Sequence, residues 1–198
     1  MGFLGITGIA KDERQRCLAY YEAEVGVTAF QTKEADLFNE VLAKHEDAIQ
    51  NDPAAAREVC TAAYRLVQAT REIARRRDAI QSVPEVAFAM HWAWHVTSLT
   101  YSAWAQTTYS AMEALANGRI PPTKYVQHLV KEHEVAWLRA QREEMQFRKK
   151  LRISEIEAEK IVEKSIEAVK RDNWQPEPLP ESDVENVVAE IEIPILSP

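Results

Sequence analysis

Two histidines four positions apart have a spacing that could bind a metal ion. On a helix, His91 and His95 would share one face, which is how a helix offers two imidazoles to one metal ion. A zinc site needs further protein ligands, and a di-iron bundle needs Glu-x-x-His, which the sequence lacks. The pair fits a metal, haem or small-molecule site, or two histidines hydrogen-bonded in the polar stripe of a buried helix. We favour the second interpretation.

A second group of possible ligands comes later in the chain, at His128, Glu132 and His133. If the helices run up and down with short turns, the rise per residue places the two histidine groups roughly 25–30 Å apart. They are therefore not expected to form one site. The same topology could bring His45, Cys60, His128 and Glu132 into one layer.

Loops that bind nucleotides or oxyanions are almost missing from the sequence. Gly118 is the one glycine between positions 28 and 174, and the chain has no Walker loop, dinucleotide fingerprint, nucleophile elbow or HExxH motif. We therefore expect a protein that is not an enzyme and that holds no cofactor.

Eight basic residues end two of the predicted helices, which would bring them to one end of a bundle. Cations at helix ends complement the helix dipole, and the surplus could bind phosphate, an anionic lipid surface or an acidic partner such as the tail of the protein itself. Nucleic-acid binding is not favoured, because no aromatic residues are interleaved and no binding motif is present. The residues are Arg71, Arg75, Arg76, Arg77, Arg148, Lys149, Lys150 and Arg152.

Helix caps and breakers predict an all-α, up-and-down bundle of four to five long helices with an extended acidic C-terminal arm. The organisation is an apolar segment 1–11, a helical bundle 12–172 and a Pro-containing tail 173–198. Ser154 with Glu157 forms a capping box, yet nothing in the sequence must break a helix there. The last two helices could therefore be separate or one rod. The predicted spans are 13–49, 53–80, 85–116, 122–151 and 154–171.

The third predicted helix is unusual because residues 86–112 include no Asp, Glu, Lys or Arg. It is long enough to cross a bilayer, but its many Ser and Thr residues favour a buried central helix. Its aromatic residues suit a core or a subunit interface, and Trp92, Trp94 and Trp104 are the predicted contacts. Apolar residues occupy one face and polar residues another, so the helix is expected to be surrounded on every side, which indicates oligomerisation. The apolar face holds Trp92, Val96, Leu99 and Ala103.

The tail carries most of the net charge of −7. From position 173 onward it has six acids and no Lys or Arg, which leaves −1 for the rest of the chain. Ile191, Ile193 and Ile195 alternate with polar residues or proline, so this segment could dock in a groove or at a sheet edge, in the same chain or in another. Over these five residues it resembles the I-x-I tail anchor of small heat-shock proteins, but the rest of the chain shows none of the strands of that family.

The preferred function is a structural subunit of a homo- or hetero-oligomeric assembly, such as a virion or another large particle. It would make its contacts through residues 85–116 and the arm. The alternatives are a ligand-binding bundle that uses His91 and His95, and a peripheral membrane protein that attaches through residues 1–10 and the basic end. Residues 1–10 lack the basic start of a secretory signal, and Cys17 and Cys60 match no metal spacing. A cytoplasmic or particle-borne protein with reduced, buried thiols is therefore expected.

Overall fold

The computed structural model of the protein describes residues 11–121 and 123–179. In these residues the chain is all-helical, which confirms the predicted class. Residues 1–10 and 180–198, with the predicted contacts Ile191, Ile193 and Ile195, lie outside the described residues. A short 3-10 turn at Glu85–Ala87 precedes the third α-helix. The helices are α1 (Lys11–His45), α2 (Pro53–Asp78), α3 (Phe88–Ala116), α4 (Thr123–Leu151) and α5 (Glu155–Lys170).

The start of α2 follows the predicted restart of the chain. The side chain of Asp52 accepts a hydrogen bond of 2.8 Å from the amide of Ala54, and Pro53 takes the first helical position. Asp52 is held extended because a residue before proline is disfavoured in the helical region. α1 ends at His45, four residues before the predicted end, and residues 46–51 form turns that lead to the Asp52 cap.

The break between α4 and α5 answers a question that the sequence left open. Arg152 takes a left-handed φ of 54°, and the amide of Ile153 returns to the carbonyl of Arg148 at 3.0 Å, which is a Schellman ending. Ser154 then accepts a hydrogen bond of 3.2 Å from the amide of Glu157, as the capping box predicts. The two segments are therefore separate helices.

Contacts between the helices show which elements are neighbours. α1 packs on α2, α2 on α3 and α3 on α4, whereas α5 packs along α1. In three of the pairs, α1–α2, α2–α3 and α3–α4, residues later in one helix contact residues earlier in the other, so these helices are antiparallel. α5 instead runs parallel to α1, because residues later in α5 contact residues later in α1. The contacts that show this are Glu24–Arg77 and Glu34–Arg65 for α1 and α2, Arg77–Trp94 and Thr70–Ser102 for α2 and α3, Thr97–Ala136 and Thr100–His133 for α3 and α4, and Arg14–Glu157 and Lys33–Val169 for α1 and α5.

Two hydrophobic clusters form the core of the described residues. The first joins α1, α3, α4 and α5 around Trp94 and Phe147. The second joins α1, α2 and α3 around Phe30 and Tyr101, and it also includes Val169 of α5. α1, α3 and α5 contribute to both clusters.

The single chain does not enclose α3 on every side, and its enclosure in an oligomer stays a prediction. Its polar face does turn toward α2, where Ser98 accepts a hydrogen bond from Arg77. Its apolar face is instead largely exposed. Trp92 and Leu99 are 56% and 58% exposed, and Phe88, one turn before Trp92, is 64% exposed, so these three residues form a stripe that faces outward. The described chain has no helix that covers this stripe.

Residues 171–179, which follow α5, form a strap over α1 and α2. They have no regular secondary structure, but Trp174 and Leu179 pack against the second hydrophobic cluster. Asp172 forms an ion pair with Arg76 at 2.6 Å. The predicted tail 173–198 thus begins with seven residues that lie against the helical body.

Candidate functional site

His91 and His95 lie in different surroundings. Nδ1 of His91 is 3.8 Å from Oε2 of Glu24, and its ring stands edge-on to Tyr20 with centroids 5.9 Å apart. His95 instead stacks on Trp92 at 5.7 Å. In the described residues, no three or more His, Cys, Asp or Glu side chains are grouped so that they could hold a metal ion. A metal site at these histidines stays a prediction, and the geometry favours a polar contact for His91.

The other predicted ligands form separate pairs. His45 lies 2.8 Å from a carboxylate oxygen of Glu58, and His128 lies 3.2 Å from Glu132 on its own helix. Cys17 and Cys60 are both buried free thiols, as expected. Burial, reinforced by the charge of Glu113, raises the pKa of the Cys60 thiol to about 11, which keeps it protonated and unreactive.

A buried ion pair occupies the place where α1, α2 and α3 meet. Glu24 and Arg77 are 1% and 2% exposed, and Nε of Arg77 donates to Oε1 of Glu24 at 2.8 Å. Nη1 of Arg77 also donates to the carbonyl of Trp94 at 3.0 Å and to Ser98. Tyr20 donates its hydroxyl to the other Glu24 oxygen at 3.3 Å. The network balances the buried charges and binds three helices together.

Sequence reasoning assigned Arg77 to a surface that binds anions and did not identify Glu24. A signal for Glu24 was present, since it lies four residues after Tyr20 and three after Tyr21, on the apolar face of α1. A charge on such a face requires a buried partner. Arg77 therefore stabilises the fold and has no surface to offer to a ligand.

Most of the basic end of α2 is paired within the chain. Arg75 and Arg76 each bond to Glu72 at 2.7 Å. Arg76 also lies over the ring of Phe30, 3.9 Å from its centroid. Of the eight basic residues predicted to bind anions, those that remain exposed are Arg71, Arg75, Lys149, Lys150 and Arg152. Arg76 and Arg77 are thus engaged within the chain, and anion binding by the exposed basic residues stays a prediction.

A second buried carboxylate, Glu34, binds the arginine against which the strap packs. Glu34 accepts two hydrogen bonds from Arg65, at 2.7 and 3.1 Å. The ring of Trp174 lies 5.5 Å from the Arg65 guanidinium and meets Phe30 edge-on at 5.3 Å. The strap is thus fixed on the surface of α1 and α2 by an aromatic and cationic stack.

A groove with a volume of about 490 Å³ lies between α1 and α5. Small and apolar side chains form its floor, and Lys164 and Arg171 lie at its rim. The floor residues are Ala23, Gly26, Val27, Ile161, Ala168 and Val169. A smaller cavity of about 170 Å³ lies between α1, α3, α4 and α5, and it contains Glu24 and Glu144.

The aromatic residues of α3 divide between the interior and the surface. Trp94 is 2% exposed and meets Trp137 of α4 edge-on at 5.0 Å. Trp104 is half-buried and packs against Phe38 at 6.0 Å. Of the three tryptophans predicted as contacts, Trp92 is the one that the structure places largely at the surface.

No protein family, curated protein or solved structure matches this chain. Among the described residues, no helix combines the length and the hydropathy that are needed to cross a bilayer. The function must therefore be inferred from the surfaces and buried groups of the chain.

Glu144 in the smaller cavity is expected to make stability depend on pH. Burial raises the pKa of its carboxyl, while the 2.8 Å hydrogen bond from Tyr21 and the charge of Arg148 oppose part of that shift. Because the pKa of Glu144 is higher in the folded state than in the unfolded state, this carboxyl contributes to the free energy of unfolding below the unfolded-state pKa. That contribution is lost as the pH rises through the folded-state pKa. Glu144→Gln should therefore be more stable than wild type at neutral pH and equal to it at about pH 3, below the ordinary carboxyl pKa.

Urea unfolding at the two pH values measures this difference. Glu134→Gln, at an exposed position of the same helix, is the matched control and should change neither midpoint. A Glu144→Gln variant that is less stable than wild type at neutral pH would show that the buried carboxylate is favourable, contrary to this expectation.

Proposed function

We propose that this protein is a non-enzymatic subunit of an oligomeric assembly and that its exposed α3 face contacts a second copy of the chain. The observation that supports the proposal is the outward stripe of Phe88, Trp92 and Leu99 on a helix with no charged residue from 86 to 112. Contiguous exposed apolar surface of this kind marks interaction sites in soluble proteins.

The chemistry of the stripe suits contact with protein. The cores of interfaces are depleted of charged residues and enriched in aromatic ones, and Trp is frequent among the residues that contribute most to binding. Because the stripe carries no charge, its burial has no ionic desolvation cost. A two-fold axis would place the same stripe on both copies, which is the commonest symmetry among homo-oligomers.

The rest of the proposal concerns the scaffold and the arm. The antiparallel packing of α1 on α2, α2 on α3 and α3 on α4 supports an up-and-down bundle. Residues 180–198, which are acidic and include Ile191, Ile193 and Ile195, would form an arm that supplies a second contact. The strap supports this part of the proposal, since Trp174 and Leu179 pack against the second hydrophobic cluster just before residue 180.

The double variant Trp92→Glu/Leu99→Glu tests the α3 contact. It is expected to reduce the native mass to that of the monomer, 22.6 kDa, because two carboxylates would be buried at the interface without partners. Light scattering over a concentration series measures the mass, and circular dichroism should show unchanged helicity.

Ile156→Glu is the matched control, because Ile156 is exposed to a similar degree but lies on α5, away from the stripe. This variant should keep the wild-type mass. A wild-type protein that is already monomeric, or a double variant that keeps the wild-type multimer, would contradict the proposed function.

A further inference from the structure

We propose that the α1–α5 groove receives residues 190–195 from the C-terminal arm of a neighbouring copy. This inference rests on the proposed assembly function and names the surface that the arm would occupy. The segment holds Ile191, Ile193 and Ile195, set between Glu190, Glu192 and Pro194.

The groove has the size and the lining of a peptide-binding site. Its volume of about 490 Å³ falls within the range of about 300–1,000 Å³ that ligand pockets occupy. Its floor is apolar, and its charged lining residues are Lys164 and Arg76, which pair with the carboxylates of Glu22 and Asp172, and Arg171. Grooves of this composition bind segments that carry regularly spaced apolar side chains.

Gly26 lies in the floor of the groove and has no explanation within the described chain. It sits in the middle of α1, where glycine weakens a helix, and it has no positive φ that would require glycine. A Cβ at this position would meet no atom within 4 Å outside its own helical turn. Close approach of another backbone is a further reason for glycine, and an extended segment in the groove would supply that approach.

The arm segment matches the groove in length and chemistry. Extended at about 3.3 Å per residue, Ile191 to Ile195 spans about 13 Å, with three isoleucines on one side. Along α5, Ile161 to Val169 spans about 12 Å. Pro194 has no amide hydrogen, so the bound segment has one backbone hydrogen-bond donor fewer that needs a partner.

Charge orients the segment more than it adds affinity. Glu190 and Glu192 would meet the rim residues Lys164 and Arg171. Lys164 already lies 3.1 Å from Glu22, but both side chains are exposed, so the lysine can turn toward a new carboxylate. Arg171 donates to the carbonyl of Glu167 and forms no ion pair with a described residue.

The direction of the strap favours an arm from another copy. α5 runs parallel to α1, from Arg14 to Lys33. The strap continues in the same direction. Asp172 contacts Arg76, and Trp174 contacts Arg65, which lies eleven residues earlier in the antiparallel helix α2. The chain therefore moves away from the groove before residue 180. An arm that filled its own groove would have to reverse direction, whereas an arm from a neighbour need not.

A photo-crosslinking experiment on the full-length protein tests the proposal. Benzophenone-alanine replaces Ala168, an exposed residue of the groove, in an equal mixture of ¹⁴N- and ¹⁵N-labelled chains. We expect crosslinks that tandem mass spectrometry maps to residues 190–195 and that join a light chain to a heavy one. The same probe at Gln146, exposed on α4, should give no such product.

Two variants of the floor separate groove binding from a change of fold. Gly26→Leu should fill the groove and lower the crosslink yield about tenfold, the change that 1.4 kcal/mol of binding free energy produces. Gly26→Ala, which also strengthens the helix, should lower the yield by a smaller factor, because one methyl group obstructs the approach of the arm backbone less than a leucine side chain does. Circular dichroism should show the same helicity for both variants.

The outcomes also separate this inference from the proposed function. A multimer whose arm crosslinks join only chains of the same isotope, or whose groove gives no arm crosslink, would overturn the groove assignment and leave the α3 contact in place. A monomeric native mass would remove the assembly function itself.

Discussion

Glu24→Leu is expected to lower the free energy of unfolding by about 3–5 kcal/mol, the usual cost of removing one partner of a buried ion pair. The substitution leaves the guanidinium of Arg77, which is 2% exposed, without a counter-charge in the interior. Hydrogen bonds from Arg77 to the Trp94 carbonyl and to Ser98 would remain, but neither acceptor carries a charge. The hydroxyl of Tyr20 would lose its acceptor as well.

Denaturant unfolding followed by circular dichroism measures this loss, with the double variant Glu24→Leu/Arg77→Met as the control. When both charges are replaced by apolar side chains, no uncompensated charge is left, so the double variant should be more stable than Glu24→Leu alone. A double variant that loses as much as the two single variants combined would show that the pair is not coupled. The cost would then have to come from packing.

Trp94→Ala is expected to cost about 3–5 kcal/mol, the range found for aromatic truncations in protein cores. Trp94 is 2% exposed, it packs edge-on against Trp137 of α4, and it borders the smaller cavity. Its removal would leave a void that helices α1 and α4 cannot fill without moving. The melting temperature should fall in parallel.

Trp92→Ala is the matched control, since it makes the same chemical change two residues away on the same helix. At 56% exposure, Trp92 contributes little to the stability of the single chain, and its truncation should cost less than about 0.5 kcal/mol at low protein concentration. Equal losses for the two variants would contradict the placement of Trp94 in the core and of Trp92 at the surface.

The positions at which helices begin and end could be predicted because local contacts decide them. The Asp52 cap reaches two residues along the chain, and the Ser154 cap reaches three. Gly118, with its φ of 68°, ends α3 where the sequence indicates. The break at Arg152 was harder to predict, because arginine is uncommon in the left-handed region that this ending requires.

Partners across helices could not be predicted in the same way. Glu24 and Arg77 are 53 positions apart, and their meeting depends on the rotation of two helices about their axes and on the register between them. The apolar stripe of α3 shows the same limit. Trp92 and Leu99 were predicted from periodicity to share a face, but which side of the helix the other elements would leave uncovered was not predicted.

The sequence by itself therefore determined the all-helical class, the start of α2, the end of α3 and the charge-free character of α3, since these follow from interactions over a few residues and from composition. Only the tertiary structure decided that Arg77 is buried, that Trp92 faces outward while Trp94 is in the core, and that a groove lies between α1 and α5. Each of these depends on how the rigid helices pack against one another, and side chains far apart in the chain determine that packing together.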